Sequence, residues 1–396
     1  MPETTTPDRR LPLPLMAAVS ALSALSIDMY LPAFPSMAAN LGAEIHTIQN
    51  SISVFLVSFG IGMLAFGPLS DRYGRRPLAL FGLAGFALAS LALALSPTAG
   101  IFLLCRCFQG LLGSAATITI PAMIRDCFGK DTARGMSTVT MIMLTAPLVA
   151  PMLGSILLTF SDWRAIFFTL SLYGATVLYL AWWKLPETLP ADSVRPASFL
   201  RNYTTILATP KIYPYLATFL MSSMAFFTYL TSAPFIYITW FGVSETRFGF
   251  LFATTAASLI LANFINIRVV SRLGSRRMMH LGLGLGCGAG IGLVLIMLAQ
   301  LNVFWALACF FLIIGSLGII SVNAESLILI EFPNQASTAS AVTRTMRFST
   351  GALVGPILAV IYNGTPVPIA GLIATALAFG CGIQALVSAR QKKAGD

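Results

Sequence analysis

The sequence predicts an all-α membrane protein of twelve transmembrane helices, arranged as two pseudo-symmetric six-helix bundles. Three observations lead there. Hydrophobic residues make up 57% of the 396 residues and charged residues only 10%, against about 25% charged in an average soluble domain. The apolar residues come in runs of about 20, enough at 1.5 Å per residue to cross a hydrocarbon core about 30 Å thick. Finally, the basic turn at Arg72, Gly74 and Arg76 returns two hundred residues later as Arg272, Gly274 and Arg276, each time between two apolar runs.

The first run, 12–35, follows Arg9 and Arg10 and is too long for a signal-peptide core of about 7–15 residues, so it is expected to remain as a helix. Runs 51–69 and 78–96 flank the first basic turn, and 100–124 carries Arg106. Run 136–160 contains proline among small residues, and 164–184 completes the first half. The segment 185–212, with Pro186, Pro190, Pro196 and Pro210, reads as a polar linker. Runs 213–240, 246–270, 278–299, 302–330, 337–363 and 366–388 then repeat the first six at an offset of 200. Transmembrane β-strands are excluded, because they would be about 10 residues long with every second residue polar. The division is therefore 1–184, a linker at 185–212, and 213–396. An even number of spans per half puts the halves in parallel orientation, with a substrate site expected near the midplane between them.

Nineteen of the 24 Lys and Arg fall at the termini and in every second loop, while the intervening loops hold only Arg164 and Arg247. This positive-inside bias places both termini and the linker in the cytoplasm. It also accounts for the net charge of +10 without a nucleic-acid partner. Five of the six cysteines lie in apolar runs, and neither His46 nor His280 is spaced with them as metal ligands. No metal, cofactor or catalytic constellation is expected, and so no enzyme. A channel would show repeated rings of polar pore-lining residues.

Charges inside apolar runs are expensive and point to function. Asp28 lies about 24 Å along the first run from its cytoplasmic start. Arg106 sits some 6–8 residues from the outer start of the fourth run, at a similar depth. Opposite charges at one depth can compensate each other and vary with protonation, so both are candidates for proton coupling. Arg106, Gln109, Gly110, Gly113 and Thr117 share one helical face suited to lining a cavity. Tyr30, Gln109, Phe226, Tyr229 and Tyr237 are the substrate-binding candidates, with Phe227 also considered; Glu325 is a secondary proton or substrate candidate. Arg344 and Arg347 are further charges in or near the eleventh run.

Several motifs carry a resemblance. Gly67-x-x-x-Asp71-Arg72-x-Gly74-Arg75-Arg76 resembles the loop 2–3 signature of the major facilitator superfamily. Such a cluster can latch the two halves together at one face, with Arg125 as the expected partner of Asp71. In the second copy Ser271 replaces the acid. Leu103-x-x-Arg106-x-x-Gln109-Gly110-x-x-Gly113 resembles the fourth-helix motif. Ala146-x-x-x-Ala150-Pro151-x-x-Gly154-Ser155 resembles the antiporter motif of the fifth helix, with alanine or serine replacing three glycines. Ser26-Ile27-Asp28-Met29-Tyr30-Leu31-Pro32-Ala33, Arg125-Asp126, Trp163-Arg164-x-Ile166-Phe167 and Pro186-Glu187-Thr188 are similar to the bicyclomycin/chloramphenicol resistance family of drug:proton antiporters. The resemblance implies a bacterial inner-membrane exporter of phenicol- or bicyclomycin-type compounds, working by alternating access and proton antiport, with Asp28 and Arg106 at the coupling positions. Export of an endogenous purine or amino acid is the alternative within the class; the expected partners are a small-molecule substrate, protons and the lipid bilayer, and the expected state is a monomer.

Overall fold

A computed structural model describes residues 12–128, 132–189, 206–332 and 336–395, all helix, turn or coil, with no strand among them. Arg9, Arg10, Lys130, Arg195, Arg201 and much of the linker lie outside these residues. The helices are α1 (Leu13–Asp28), α2 (Phe34–Asn40), α3 (Ile45–Tyr73), α4 (Arg75–Ala94), α5 (Ala99–Phe128), α6 (Thr132–Phe160) and α7 (Arg164–Lys184). The second half holds α8 (Tyr213–Pro234), α9 (Glu245–Leu273), α10 (Ser275–Leu298), α11 (Val303–Ile330), α12 (Ala336–Ile361) and α13 (Val367–Gly395). With α1 and α2 counted as one interrupted span, these are the twelve spans expected. Ten are long and apolar enough to cross a bilayer by length and composition. In α6 the apolar stretch is the shorter Thr145–Phe160, and α12 carries Arg344 and Arg347 among several serines and threonines.

Two spans are broken, and proline explains both breaks. Pro32 cannot donate a hydrogen bond to the carbonyl of Asp28 and its ring clashes with that carbonyl. Accordingly α1 ends at Asp28, a 3₁₀ turn covers Leu31–Ala33, and α2 resumes at Phe34. In the seventh span α8 ends at Pro234 and continues as a π-helix over Phe235–Trp240.

The basic turns are true structural repeats. Gly74 adopts φ 104°, ψ 153° and Gly274 φ 78°, ψ 153°, a region closed to side chains with a Cβ. Each caps the start of the following helix. The Arg76 guanidinium donates to the Trp182 carbonyl (2.7 Å), and Arg276 donates to Ser388 (3.5 Å) in the corresponding place. The two turns mark what we term the basic end of the molecule. The opposite, far end carries the loops before α3, α5, α7, α9, α11 and α13.

Helices α3, α4, α5 and α7 pack together with α1 and α6, and α8 packs with α11, α12 and α13 beside α9 and α10. The bundles meet chiefly along two seams, α3 against α12 and α6 against α9. These are the second and eleventh spans and the fifth and eighth, so the seams obey the same internal symmetry as the sequence.

At the first basic turn, the Glu187 carboxylate takes up the free N–H groups at the start of α4. It accepts from the amides of Arg75 (3.0 Å) and Arg76 (3.1 Å), and also from those of Thr188 and Leu189 (2.9 Å each). An acid here satisfies orphan donors and complements the helix dipole. Glu187→Ala is expected to cost about 1–2 kcal/mol, read as a lower thermal unfolding midpoint in detergent; an unchanged midpoint would show that the cap contributes nothing.

Candidate functional site

Asp28 terminates α1 at the break and is 5% exposed. No hydrogen bond or ion pair reaches its carboxylate among the described residues, while Tyr30 and Tyr229 lie within range of its charge. The break is held from behind by Gly154. A Cβ there would overlap the Met29 carbonyl oxygen and lie 3.3 Å from the Pro32 ring. The glycine retained in the fifth-span motif is therefore a close-approach position, with Pro151 and the fully buried Ala150 in the turn before it.

Asp28 and Arg106 do not form the compensating pair expected from their depths. Arg106 projects from α5 beneath the preceding turn of α1, where Nη1 donates to the Ser26 carbonyl (3.1 Å) and to Gln109 Oε1 (2.6 Å). Its guanidinium lies 4.4 Å from the Tyr30 ring centroid and 4.8 Å from that of Phe55. The carbonyl and two π faces thus stand where a carboxylate was expected. Buried Nε and Nη2 have no hydrogen-bond partner among the described residues. Gln109 donates to Ser90 (2.8 Å) and is wholly buried, so it positions Arg106 inside the first bundle. Gly110 and Gly113 on the same face pack against Phe55 and Phe86.

The three tyrosines are buried where the broken spans meet. The Tyr30 hydroxyl bonds Ser51 (2.7 Å) and its ring packs on Phe34, Phe102 and Phe167. The Tyr229 hydroxyl bonds Thr255, with the ring stacked on Phe252 at 5.5 Å and tilted on Phe310 at 4.9 Å. Tyr237, on the π-helix, packs on Phe248 and Phe310 with its hydroxyl beside that of Tyr229. Tyr30-Leu31 and Tyr229-Leu230 are the same step of the repeat, each bonded to a hydroxyl residue on the next long helix. The sequence holds the signal, a Tyr-Leu pair followed by proline in both spans. Phe226 is half-buried and carries the Arg347 guanidinium at 5.4 Å.

The seams between bundles are built from serine set against glycine. Ser155, one of the departures from the glycine pattern, donates to the Glu245 carbonyl across the α6–α9 seam (2.7 Å), and a Cβ at Gly249 would meet its Oγ at 2.6 Å. Across the α3–α12 seam the Gly355 amide donates to Ser53 Oγ (3.1 Å), and a Cβ at Gly355 would collide with that oxygen. His46 meets Tyr362 nearest the far end (5.0 Å), and Phe59 meets Phe348 deepest along the seam (5.2 Å). These observed crossings all lie between the far end and the level of Phe348.

At the basic end the charged cluster closes on its own bundle. Asp71 pairs with Arg75 one turn on, and the expected Asp71–Arg125 pair is absent. Arg125 leans on Asp126 (3.7 Å) because it points outward, half-exposed. Arg75 is the buried hub: it also binds Asp126 (3.3 Å) and Ser70 (2.8 Å), and Thr188 donates to Asp126 (3.4 Å). Arg72 lies over the Tyr73 ring, and Gly67 stands nearly two turns before the end of α3. On the second bundle, Glu325 accepts from Ser340 (3.3 Å), joining α11 to α12. Among the described residues no three His, Cys, Asp or Glu gather as a metal site would require.

Filling either glycine notch separates the bundles only where they touch. Asn50 lies beside Gly355 in the α3–α12 seam. In a background free of the six native cysteines, Gly249→Val and Gly355→Val are each expected to increase labelling of Asn50→Cys by a membrane-impermeant thiol reagent added at the far end. Unchanged labelling in both variants would show that the notches do not set the closure.

The major facilitator superfamily profile, described as "Major Facilitator Superfamily", matches residues 16–356. A "Bicyclomycin resistance protein homolog" of Haemophilus influenzae is 31% identical over 360 residues, covering 89% of this chain and 90% of the relative. A "Chloramphenicol resistance protein" of Pseudomonas aeruginosa is 34% identical over 68% of this chain and 64% of its own length. Among solved structures, a D-xylose-proton symporter superposes with TM-score 0.72 at 16% identity, over 93% of this chain and 96% of its own. A POT family transporter in complex with 5-aminolevulinic acid superposes with TM-score 0.76 at 13% identity, over 96% of each chain. By sequence across most of its length and by fold, the chain belongs to the Major Facilitator Superfamily and is a multi-pass membrane transporter.

Proposed function

We propose that this transporter exports antibiotic-like drugs, of the phenicol or bicyclomycin type, from the bacterial cytoplasm across the inner membrane in exchange for protons. The observation that carries the reading is Asp28: a buried carboxylate without an ion partner, at a helix break where both bundles converge. The names of the relatives, a bicyclomycin resistance protein homologue and a chloramphenicol resistance protein, supply the class of cargo. Superfamily membership makes the chain a carrier, and the reading leaves no step for enzymatic chemistry.

In this reading the units 1–184 and 213–396 rock about the midplane while the 185–212 segment tethers them, and a single chain suffices. The positive-inside bias puts the basic end and both termini in the cytoplasm. The structure is then the state closed to the outside by the serine–glycine seams. A drug entering from the basic end meets ionised Asp28 and the Tyr30, Tyr229 and Tyr237 cluster. Once the far end opens, a proton taken up by Asp28 removes the charge that held the drug, and the drug leaves. A neutral Asp28 is the cheaper passenger through the closed intermediate, so the proton rides inward and is released to the cytoplasm. Arg106 holds the turn before Asp28 through the Ser26 carbonyl and supplies a positive field near it. Of the Gly67–Arg76 cluster and its neighbours, the exposed Arg72 and Arg125 and the partly exposed Asp71 are the members placed to engage the second bundle when the basic end closes.

Asp28→Asn is expected to insert normally and to abolish drug-induced proton movement in everted vesicles, measured with a pH-sensitive dye. The same variant should lose uphill efflux of chloramphenicol from cells lacking other pumps. Uphill efflux retained in Asp28→Asn would move the coupling to another carboxylate, Glu325 being next.

A further inference from the structure

Arg347 is a charge in the second bundle for which the coupling scheme has no use. Its place along the path follows from its neighbours. Among the described residues the deepest ring contact between bundles is Phe348 against Phe59, and Phe348 also touches Phe227 on α8 (6.4 Å). Arg347 is the residue before Phe348, and Phe226, under its guanidinium at 5.4 Å, is the residue before Phe227. Tyr229 follows Phe226 by three residues, about 4.5 Å of helix rise toward the far end. The Arg347–Phe226 couple therefore lies about one turn from the Asp28–Tyr229 level, on its basic-end side.

The surroundings of Arg347 leave its donors available. No hydrogen bond reaches the guanidinium among the described residues; the charges of Glu325 and Arg344 lie in range, and the Phe226 face lies beneath. Arginine carries five N–H donors in a planar fork, and such a group inside a membrane span marks a ligand path more often than a strut. Glu325, held by the Ser340 hydroxyl, offsets the charge when nothing is bound. The exposed Arg344, one turn before on α12, adds a second positive charge and disfavours a cation at this place.

We propose that Arg347 and Phe226 form a second substrate subsite, which takes a hydrogen-bond acceptor (a nitro, carbonyl, sulfonyl or carboxylate oxygen) on an aromatic ligand. The proposal rests on the export reading and deepens it. Asp28 on one bundle accepts from the ligand's donor and Arg347 on the other donates to its acceptor, so the preferred cargo is bipolar and overall neutral. A purely cationic aromatic satisfies Asp28 but is repelled by the arginines.

Two probes separate the possibilities in cells lacking other pumps: chloramphenicol, a neutral nitroaromatic amide, and ethidium, a flat cation. Arg347→Gln is expected to raise the half-saturating chloramphenicol concentration about tenfold or more, the loss of a charge-assisted hydrogen bond, while ethidium export is retained or rises. Arg347→Lys, which keeps the charge beside Glu325 but loses the fork, should show the same selectivity change. Equal loss of both substrates, or recovery of chloramphenicol export in Glu325→Gln/Arg347→Gln, would make the pair a strut and overturn the proposal. Should Arg347→Gln be inactive toward both, stabilisation of the purified protein by chloramphenicol against heat decides: loss of the shift in folded protein supports the subsite, and an undiminished shift overturns it. Wild-type protein that exports neither probe overturns the subsite, and failure to export bicyclomycin as well overturns the export reading itself.

Discussion

Inside a bilayer no water is available to satisfy a polar group, so a freed carbonyl or a lone carboxylate costs several kcal/mol unless protein supplies the partner. The break after Asp28 is where this chain accepts that cost. Pro32 frees the carbonyl of Asp28, Gly154 backs directly onto the next one at Met29, and Arg106 takes the one at Ser26. The side chain of Asp28 is left without an ion partner in a place both bundles reach. Helix packing, the buried arginine and the aromatic shell around the break are all arranged about that one unpaired group.

The internal duplication then becomes more than history. Both broken spans present a tyrosine whose hydroxyl is held by the next long helix, and both seams place a first-bundle serine against a second-bundle glycine. Matched seams let two rigid bundles separate at one end without unpicking their own cores. The asymmetries are as informative. Of the two basic turns only the first has its acid, and of the two breaks only the first has a carboxylate beside it.

Much of this was legible along the chain. Hydropathy gave the twelve spans, because a run of about 20 apolar residues has no other stable placement. Glycine marked both turns, since it acts on its own backbone. Asp28 stood out for its expense alone. The partnerships did not show. Asp71 bonds Arg75 rather than Arg125, and Arg106 bonds a carbonyl and π faces rather than Asp28, because rotation of a helix about its axis decides which way a long side chain points. Glu187 capping α4 joins residues 112 apart in the chain, and no local pattern announces it.

By itself, then, the sequence determined the class of protein, the repeat and the residues costly enough to matter, all of which follow from local composition, while the breaks within the first and seventh spans appeared only in the structure. The tertiary structure alone decided that serine meets glycine along both seams, which charges remain unpaired among the described residues and which tyrosines surround Asp28. These depend on distances between helices far apart in the chain, and a few degrees of rotation exchange one partner for another.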